Sequence, residues 1–395
     1  MDMLCEKYQC TGCGACSSVC PHGAISMIPG HLGALCAEID ADRCVDCGSC
    51  SAVCPVVSPV ELREPCSAYA AYSVSSDDRA SSASGGAASA LARNVISAGG
   101  VVYGCVQKNG PKNGPEISHV RVDSLNDVEL LKGSKYVQSD ALAVYGMVRR
   151  DLEDGREVLF VGTPCQVAGL KNIMNGRLAD RLITADLCCH GTPPVSLLRN
   201  HLDFIGAARN ADRVTFRKKD GDRIHYVMCV TDSSGRVVYD RPSGRDYYMT
   251  GFLSGMFLRE NCFSCRYASP LRCSDLTLSD FWSIGTVSDP QMKVSRGLSA
   301  VLINTDKGRT LFDRIADQMV CQERPLAEAL RNARFIGPEV KPDAYDKFVE
   351  HYDRYGYSAS CRRYLPAFQL EIFFDKLRDI YYKWPLRQFL RKILK

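Results

Sequence analysis

Eight cysteines near the start of the chain occur in two runs with one spacing, Cys-x2-Cys-x2-Cys-x3-Cys-Pro. The first run extends from Cys10 to Pro21 and the second from Cys44 to Pro55. Three thiolates with this spacing reach three corners of one cubane, and the fourth cysteine of each run ligates the other cluster. The spacing therefore predicts two 4Fe–4S clusters. The predicted ligands are Cys10, Cys13, Cys16 and Cys54 for the first cluster, and Cys44, Cys47, Cys50 and Cys20 for the second.

A pair of zinc sites is the alternative for the same eight cysteines. Zinc sites usually combine two Cys-x2-Cys pairs that are well separated along the chain. Here four cysteines fall within eleven residues, and this happens twice. The spacing therefore favours iron–sulfur clusters. Cys5, Cys36 and Cys66 lie outside the pattern, and we interpret them as ordinary small residues.

The number of cysteines also bears on the compartment. The chain has 21 cysteines in 395 residues, and its start, MDMLCEKYQC, lacks the basic and apolar regions of a secretory signal. In the reducing cytoplasm, closely spaced cysteines usually bind metals instead of forming disulfides. The sequence contains no run of about 18 uncharged apolar residues, so it predicts no membrane-spanning helix. The net charge of +4 is only a weak indication of nucleic-acid binding. We therefore expect a cytoplasmic protein without a nucleic-acid partner.

After the cysteine runs, apolar strand-like segments alternate with amphipathic ones. Examples are VLFVGTPC, which follows a charged helix-like segment, and SAVLINTD, which leads into KGRTLFDRIADQM. This alternation favours α/β layering. Residues 214–239 alternate instead like antiparallel strands joined at Gly-containing turns. We predict an α+β protein: a small two-cluster ferredoxin domain, then an α/β catalytic domain with an antiparallel β insertion, then a C-terminal amphipathic helical tail.

Four further cysteines are candidates for a third metal site: Cys165, Cys189, Cys262 and Cys265. The first follows the strand-like run VLFV in a Gly-Thr-Pro turn, and the second follows LITADLC before another Gly/Pro turn. Two thiols at equivalent strand ends can meet in the crevice where α/β sheets bind ligands. The last two form a Cys-x2-Cys pair, which is a moderate metal signal. Buried apolar thiols with a chance pair remain the alternative, and Cys188 and Cys273 are competing ligands.

Five motifs, taken in order, are similar to a known family. They are SSASGGAASALARNVISAGGVVYGC, LLKGSKYVQSD, FVGTPCQVAGLK, DLCCHGTPP and CFSCRYASPLRCSDLTLSDFW. Together with the cysteine runs they resemble the beta-subunit family of deazaflavin-coenzyme (F-420) hydrogenases and dehydrogenases, from about Cys10 to about Asp313. The resemblance implies an iron–sulfur flavoprotein that carries FAD, with a third 4Fe–4S cluster on the four later cysteines. It places a ligand in the Cys-His-Gly step and so selects Cys189 over Cys188.

Two segments are candidates for binding the flavin. A Ser/Gly loop precedes an apolar-periodic helix, and glycines at a helix start let the backbone approach a pyrophosphate. The segment GSKYVQS adds a cation, an aromatic ring and an amide, which suit an isoalloxazine or a phosphate. An ordinary loop and a solvated turn are the respective alternatives. Asp280 ends a strand-like run and is a further ligand candidate, with a packed aromatic corner as the alternative. The predicted flavin-binding residues are Ser84, Gly85, Gly86, Lys135, Tyr136 and Gln138.

The end of the chain has an apolar face and a basic face. Apolar residues recur with helical period over 370–384 and, after Pro385, over 386–394. An apolar stripe beneath basic residues is typical of a helix that binds an anionic membrane surface. Packing of these helices on the protein's own core is the alternative. The predicted location is therefore the cytoplasm, with a peripheral site at the inner face of the membrane if the tail binds lipid.

These predictions divide the chain into four parts and suggest a function. The parts are a ferredoxin-like domain (1–60), the N-terminal part of the flavin-binding region (66–145), a C-terminal catalytic part with the third cluster (146–325) and a helical tail (326–395). The leading hypothesis is an oxidoreductase that passes electrons between a low-potential carrier, a ferredoxin or the deazaflavin coenzyme, and a substrate through 4Fe–4S clusters and FAD. The alternative is a non-catalytic electron-transfer subunit of a larger redox complex. No individual catalytic residue, substrate or oligomeric state is predicted.

Overall fold

The computed structural model describes residues 4–365 apart from 109–113, 221–222 and 293–295. The predicted amphipathic helices of residues 370–394 lie outside the described residues. The strands are β1 (Ile25–Pro29), β2 (Leu35–Ile39), β3 (Ser67–Ser73), β4 (Val101–Lys108), β5 (Glu116–Val122), β6 (Val158–Gly162), β7 (Leu182–Leu187), β8 (Arg213–Asp220), β9 (Arg223–Thr231), β10 (Val237–Pro242), β11 (Leu276–Asp280), β12 (Ser299–Ile303) and β13 (Met319–Arg324).

Helices of very different length alternate with these strands. They are α1 (Ala15–Val19), α2 (Ser49–Val53), α3 (Ser76–Ser81), α4 (Ala87–Ser97), α5 (Val128–Leu131), α6 (Leu142–Glu153), α7 (Pro164–Ile173), α8 (Val195–Phe204), α9 (Tyr247–Leu253), α10 (Asp306–Asp313), α11 (Leu326–Ala329), α12 (Ala333–Ile336) and α13 (Tyr345–Tyr364). Among the described residues, none of these helices is long and apolar enough to cross a bilayer.

The N-terminal region repeats one small unit. In each cysteine run a loop turns at a left-handed glycine, Gly14 (φ 79°) or Gly48 (φ 73°), and then enters a five-residue helix, α1 or α2. A residue with a β-carbon rarely adopts this backbone conformation, so glycine allows the thiols before and after the turn to face one centre. β1 and β2 pair antiparallel between the two runs, with Ile25 opposite Ile39. The result is a compact ferredoxin-like region in front of the main sheet.

One eight-stranded sheet forms the centre of the remaining chain, in the order β13-β3-β12-β11-β7-β6-β4-β5. Four adjacent strands, β11, β7, β6 and β4, run parallel, and the remaining strands, three on one side and one on the other, pair antiparallel. β6 and β7 are in register, with Gly162 opposite Asp186. Leu278 of β11 likewise lies opposite Leu187 of β7. The segments that leave the carboxyl ends of these three strands therefore start at one edge of the sheet, where open parallel sheets bind ligands.

A second, three-stranded antiparallel sheet, β10-β9-β8, lies between α8 and α9 in the sequence. Its inner face packs with α8, α9 and α13 in a core rich in aromatic side chains, including Phe216 of β8, Tyr248 of α9 and Phe348 of α13. A buried polar contact crosses this core, since Nε2 of His201 lies 2.8 Å from Oδ2 of Asp246. The last described helix, α13, is therefore part of this core.

Candidate iron–sulfur and cofactor site

The four cysteines predicted for the first cluster line a single cavity between the two cysteine runs. They are Cys10, Cys13, Cys16 and Cys54. Cys54 comes from the second run and reaches this cavity because α1 and α2 pack against each other. The cavity thus places Cys54 beside the three cysteines of the first run, as the predicted exchange of fourth ligands requires.

A second cavity collects the cysteines predicted for the second cluster: Cys20, Cys44, Cys47 and Cys50. Here the fourth cysteine, Cys20, comes from the first run. Cys47 is exposed at the surface, whereas Cys13, Cys16 and Cys54 of the first set are buried. The first predicted cluster site is therefore the inner one and the second the outer one.

The donors around both cavities are thiols. Among the described residues, no three His, Cys, Asp or Glu side chains converge closely enough to hold a single metal ion. A cubane spreads its thiolate ligands around four irons and so needs a wider arrangement. The chemistry of the donors, four thiols around each space, fits such a cluster.

Two cysteines that the spacing leaves out lie beside the inner site. Cys5 lines the same cavity as the four predicted ligands. Hydrogen bonds from the thiols of Cys36 and Cys5 lower the pKa of Cys10. Interpreting these two residues as ordinary small residues was therefore incomplete. Only the folding of the N-terminal turn and of β2 against the first run brings them to Cys10.

The four later cysteines also form a group, built by the loops at the sheet edge. Cys165 is in the first turn of α7, whose start is fixed by a capping box between Thr163 and Gln166. Cys189 follows β7, and its sulfur accepts a hydrogen bond from the Gly191 N–H at 3.4 Å. Burial, together with the neighbouring thiols of Cys265 and Cys262, raises the pKa of Cys165 to about 12. The thiols of Cys262, Cys165 and Cys265 are likewise electrostatic neighbours of Cys189.

The two competing ligands are turned to other partners. Burial raises the pKa of Cys188 to about 12, its hydrogen bond is to Ser279, and it packs beside Phe281 in a different part of the core. The thiol of Cys273 lies 3.5 Å from the Pro164 carbonyl oxygen and 3.7 Å from Asp186. These contacts favour Cys189 and leave Cys273 as a neighbour of the third site.

A buried hydroxyl without a hydrogen-bond partner, that of Tyr267, bears on whether the third site fits a cluster. Tyr267 is 4% exposed, and its hydroxyl has no hydrogen-bond partner among the described residues. Its electrostatic neighbours are the thiols of Cys273, Cys165 and Cys13. A buried hydroxyl without an acceptor costs about 1–3 kcal/mol. A cluster sulfur would supply the missing acceptor, so the residues present fit a 4Fe–4S group.

The inner ferredoxin site is attached to the third site by a buried arginine. Arg259 donates from Nη2 to the Cys10 carbonyl at 2.8 Å and from Nη1 to Oε1 of Gln138 at 2.6 Å. Gln138 in turn donates to the carbonyl of Thr11 at 3.0 Å. Arg259 directly precedes the turn that carries Cys262. The side chain of Gln138, predicted to bind flavin, is thus engaged in holding the first cysteine loop.

The helix start predicted to bind a pyrophosphate has an acidic neighbour. A β-carbon at Gly86 would lie 3.1 Å from Oδ2 of Asp78, and Ser89 in the first turn of α4 donates to Asp78 at 2.7 Å. Burial would raise the pKa of Asp78, but hydrogen bonds from Lys132 and Ser89 outweigh it and lower the pKa. Gly85 is packed, because a β-carbon there would lie 2.3 Å from the Ala71 carbonyl. An anion at this helix start would therefore have to share the space with a carboxylate.

A strongly cationic cavity of about 510 Å³ opens beside this helix start; we call it the basic cleft. Its walls are residues 80–83, residues 129–135 and strand β8. This volume is within the range of about 300–1,000 Å³ typical of ligand sites. Six cationic side chains and two carboxylates line it: Lys108, Lys132, Lys135, Arg213, Arg217 and Lys219, with Glu129 and Asp212.

Two of these cations are held by backbone oxygens. Nζ of Lys135 donates to the carbonyls of Leu131 at 3.0 Å and Lys132 at 2.9 Å. Nζ of Lys219 donates to the carbonyl of Ser84, a predicted flavin residue, at 2.7 Å. Burial lowers the pKa of both lysines to about 8, helped by Arg213 beside Lys135 and by Arg79 and Arg217 beside Lys219. The positive charges on these side chains would be stabilised by an anionic ligand.

Aromatic rings and an ion pair adjoin the basic cleft. Nη2 of Arg217 donates to Asp280 at 2.6 Å and to the Tyr226 hydroxyl at 3.0 Å. The ring of Tyr226 lies 6.2 Å from that of Tyr136, a predicted flavin residue, and 6.5 Å from that of Trp282. Trp282 is 56% exposed. Three motifs that are far apart in the sequence therefore meet at one place that solvent reaches.

This aromatic group also touches the third site. The ring of Tyr136 stacks on Phe252 at 4.8 Å, and Phe252 meets the ring of His190 edge-on at 4.9 Å. His190 directly follows Cys189. Nε2 of His190 donates a hydrogen bond to the Phe252 carbonyl oxygen at 3.2 Å. The basic cleft and the third site are thus separated by a few packed rings.

Comparison with known proteins gives two family matches and two relatives. Residues 155–329 match the family described as the C terminus of the beta subunit of coenzyme F420 hydrogenase/dehydrogenase, and residues 9–57 match the 4Fe-4S dicluster domain. The chain is 24% identical over 333 residues to the F subunit of F(420)H(2) dehydrogenase from Methanosarcina mazei, covering 80% of this chain and 85% of that protein. A chain of the F420-reducing NiFe hydrogenase complex from Methanosarcina barkeri aligns at a TM-score of 0.47 and 18% identity, over 75% of this chain and 94% of that chain.

Proposed function

Because this chain belongs to the coenzyme F420 hydrogenase/dehydrogenase beta-subunit family, we propose that it is an iron–sulfur electron-transfer subunit of a larger redox complex. The match of residues 9–57 to a 4Fe-4S dicluster domain confirms the iron–sulfur clusters expected from the cysteine spacing. The observation that carries the proposal is the order of the three cysteine groups, from the exposed Cys47 through the inner ferredoxin site to the third site.

The clusters, when bound, supply single-electron acceptance and release. The chain's own residues set their order. Cys13 of the inner site is an electrostatic neighbour of Cys165 in the third site. Arg259 and Gln138 hold the first cysteine loop against the third site. These contacts would hold the inner and third sites at a fixed separation, over which bound clusters would exchange single electrons.

The outer end of the series is suited to a protein partner. Val45 is 59% exposed, and Cys47 beside it is exposed. A redox protein, such as a ferredoxin or another subunit of the complex, would bind at this surface. The relative from Methanosarcina mazei is named as part of an F(420)H(2) dehydrogenase, so the deazaflavin coenzyme is a candidate electron source at the other end.

The basic cleft supports a finer proposal, that the chain binds FAD there and exchanges electron pairs with a substrate. Lys135 and Lys219 carry the positive charge that a pyrophosphate needs, and burial lowers the pKa of both lysines to about 8. Tyr136 and Trp282 provide ring surfaces beside these charges. FAD, when bound, would supply the two-electron chemistry that clusters lack. The packed rings of Phe252 and His190 lie between this place and Cys189.

One experiment separates the subunit role from independent catalysis. The full-length chain, purified anaerobically, should accept electrons into its clusters from dithionite, but it should sustain turnover between the deazaflavin coenzyme and the acceptor of the complex only when the partner subunits are added. Turnover by the isolated chain at the rate of the complex would overturn the subunit role. Cluster content, measured as iron and acid-labile sulfide, is recorded in the same samples.

A matched pair of variants tests the flavin proposal. Lys219 and Lys218 are neighbours on β8, but Lys219 lines the basic cleft whereas Lys218 pairs with Asp240 at 2.7 Å. Lys219→Met should raise the Kd for FAD about tenfold, which corresponds to a loss of about 1.4 kcal/mol of binding free energy. Lys218→Met should leave FAD bound. Flavin that is retained equally in both variants, and in Lys135→Met, would mean that its site lies elsewhere.

A further inference from the structure

Five thiols, one more than a cubane has places for, surround the inner ferredoxin cavity. Four of them are the predicted ligands, and the fifth is Cys5. Because each iron of a 4Fe–4S cluster takes one protein ligand, four thiolates complete the set. The fifth thiol therefore has to be a neighbour of the cluster or a replacement for one of its ligands.

Cys5 lies beside two of the four predicted ligands. Its thiol lies within hydrogen-bonding range of the thiols of Cys10 and Cys54. Cys5 is therefore placed to approach the irons held by Cys10 and Cys54.

The backbone keeps Cys5 close to this position. The N–H groups of Gln9 and Cys10 both donate to the carbonyl of Glu6, at 2.8 and 3.2 Å, so the chain makes a tight turn between Cys5 and Cys10. Cys5 itself is only partly buried. The short tether holds the thiol near the cluster, and its contact with solvent gives its proton an exit to water.

Cys36 shows what a different kind of neighbour looks like. It also lies within hydrogen-bonding range of Cys10. Its thiol lies 3.5 Å from each of the carbonyls of Lys7 and Ala34. It lines a separate cavity on the other side of Cys10, away from the space that the four ligands enclose. Cys36 is therefore a matched control for a thiol that touches a ligand but cannot replace it.

We propose that Cys5 is an interchangeable fifth ligand of the inner cluster, able to take the iron of Cys10 or of Cys54. The exchange breaks one iron–sulfur bond and forms another at Sγ of Cys5. The Cys5 proton passes to water, or to the departing thiolate when that ligand is still present, and no electron is transferred. This inference rests on the inner cluster of the proposed function. It gives the chain a way to keep that cluster when one of these two thiols is chemically damaged.

Alanine variants of the full-length chain, prepared anaerobically, test this inference. Cys10→Ala and Cys54→Ala should each retain the iron content of the wild type, because Cys5 fills the vacant position. The EPR signal of the reduced inner cluster should shift in both, since one ligand has changed. The double variants Cys5→Ala/Cys10→Ala and Cys5→Ala/Cys54→Ala should lose about four irons, one cubane. Cys10→Ala/Cys36→Ala should behave like Cys10→Ala alone.

The outcomes distinguish this inference from the proposed function. Loss of about four irons in Cys10→Ala and in Cys54→Ala, with Cys5 intact, overturns the exchange but leaves the cluster itself supported. Equal loss in Cys10→Ala/Cys36→Ala and in Cys5→Ala/Cys10→Ala, with Cys10→Ala intact, overturns the specific role of Cys5. Cys13→Ala should lose about four irons by itself. Full iron content in Cys13→Ala would overturn the ligand set of the proposed function instead. Iron remaining on the other clusters in each variant reports that the chain has folded.

Discussion

Cys13 of the inner ferredoxin site lies against Gly169 of α7, so closely that a β-carbon at Gly169 would come within 3.1 Å of the Cys13 sulfur. Gly169 follows Cys165 by four residues, one helical turn, so both face the same side of α7. One face of a single helix therefore supplies a ligand candidate for the third site and the surface on which the inner site rests. The two sites are held at a fixed separation by this contact.

The first prediction concerns this contact. Gly169→Ala should disturb the inner cluster, because the added β-carbon would also lie 3.1 Å from Cβ of Ala15. We expect a changed EPR signal of the inner cluster and slower equilibration of electrons with the third cluster, measured by rapid-mixing reduction. Gly146→Ala in α6 is the control, since nothing lies within 4 Å of a β-carbon there. It should be neutral or stabilising by up to about 1 kcal/mol. Identical behaviour of the two variants would contradict the close approach.

The second prediction separates two adjacent cysteines. Cys189→Ala should lose about four irons, because its thiol lies among the other three of the third site. Cys188→Ala should keep them, since its thiol packs toward Phe281. Iron analysis with Mössbauer spectroscopy of both variants is the measurement. A loss in Cys188→Ala, and none in Cys189→Ala, would show that the ligand is the other cysteine.

The third prediction concerns the unpaired hydroxyl of Tyr267. Hydrogen bonds to cluster sulfurs are one of the factors that set reduction potential. A donor favours the reduced, more negative cluster, so Tyr267→Phe should shift the potential of the third cluster to a more negative value while iron content is unchanged. An EPR-monitored redox titration measures the shift. Tyr145→Phe is the control, because its hydroxyl donates to the Cys13 backbone carbonyl at 2.8 Å. An unshifted third cluster in Tyr267→Phe would mean that the hydroxyl does not reach a sulfur.

The fourth prediction is a dependence of stability on pH. Burial lowers the pKa of Lys135 from 10.5 to about 8, so between these pH values the unfolded chain binds more protons than the folded chain. The contribution of Lys135 to the free energy of unfolding should therefore rise as pH increases from about 8 to about 10.5. Lys135→Met removes this rise. Urea unfolding of flavin-free protein at several pH values, wild type minus variant, measures it. A difference that stays constant with pH would show that Lys135 has an ordinary pKa.

The ligand sets of the cysteine runs could be predicted because most of their ligands are close together in the sequence. Three ligands of each set lie within seven residues, and covalent geometry brings them together whatever the rest of the chain does. The third group was predictable in outline, because Cys165 and Cys189 each follow a strand that is buried and parallel to its neighbour. Cys5 was missed since no spacing rule connects it to Cys10, and only the turn at Glu6 does so.

The cofactor region was harder to predict because its contacts join distant segments. Arg217 and Asp280 are 63 residues apart and meet only because β8 lies over the end of β11. The side chain of Asp78 reaches the start of α4 across an intervening loop, which a pattern of serines and glycines does not reveal. Motif spacing identified Lys135 and Tyr136 as notable residues, but which cavity each of them lines depends on the tertiary structure.

The position of Cys165 and Cys189 at the carboxyl ends of neighbouring strands has a consequence for how the protein matures. On the proposed ligand set, iron would join Cys165 to Cys262 and so close a loop of about a hundred residues, whereas the ferredoxin clusters close shorter loops, the longest of them from Cys10 to Cys54. Closing a long loop restricts the unfolded chain most, so the third cluster would act as a cross-link of the sheet edge. The ferredoxin region can then acquire iron while synthesis continues, but the third cluster has to wait until residue 265 has been made. When iron is scarce, chains would therefore carry the ferredoxin clusters but lack the third cluster. The sheet edge of such chains would be less stable and more open to proteolysis.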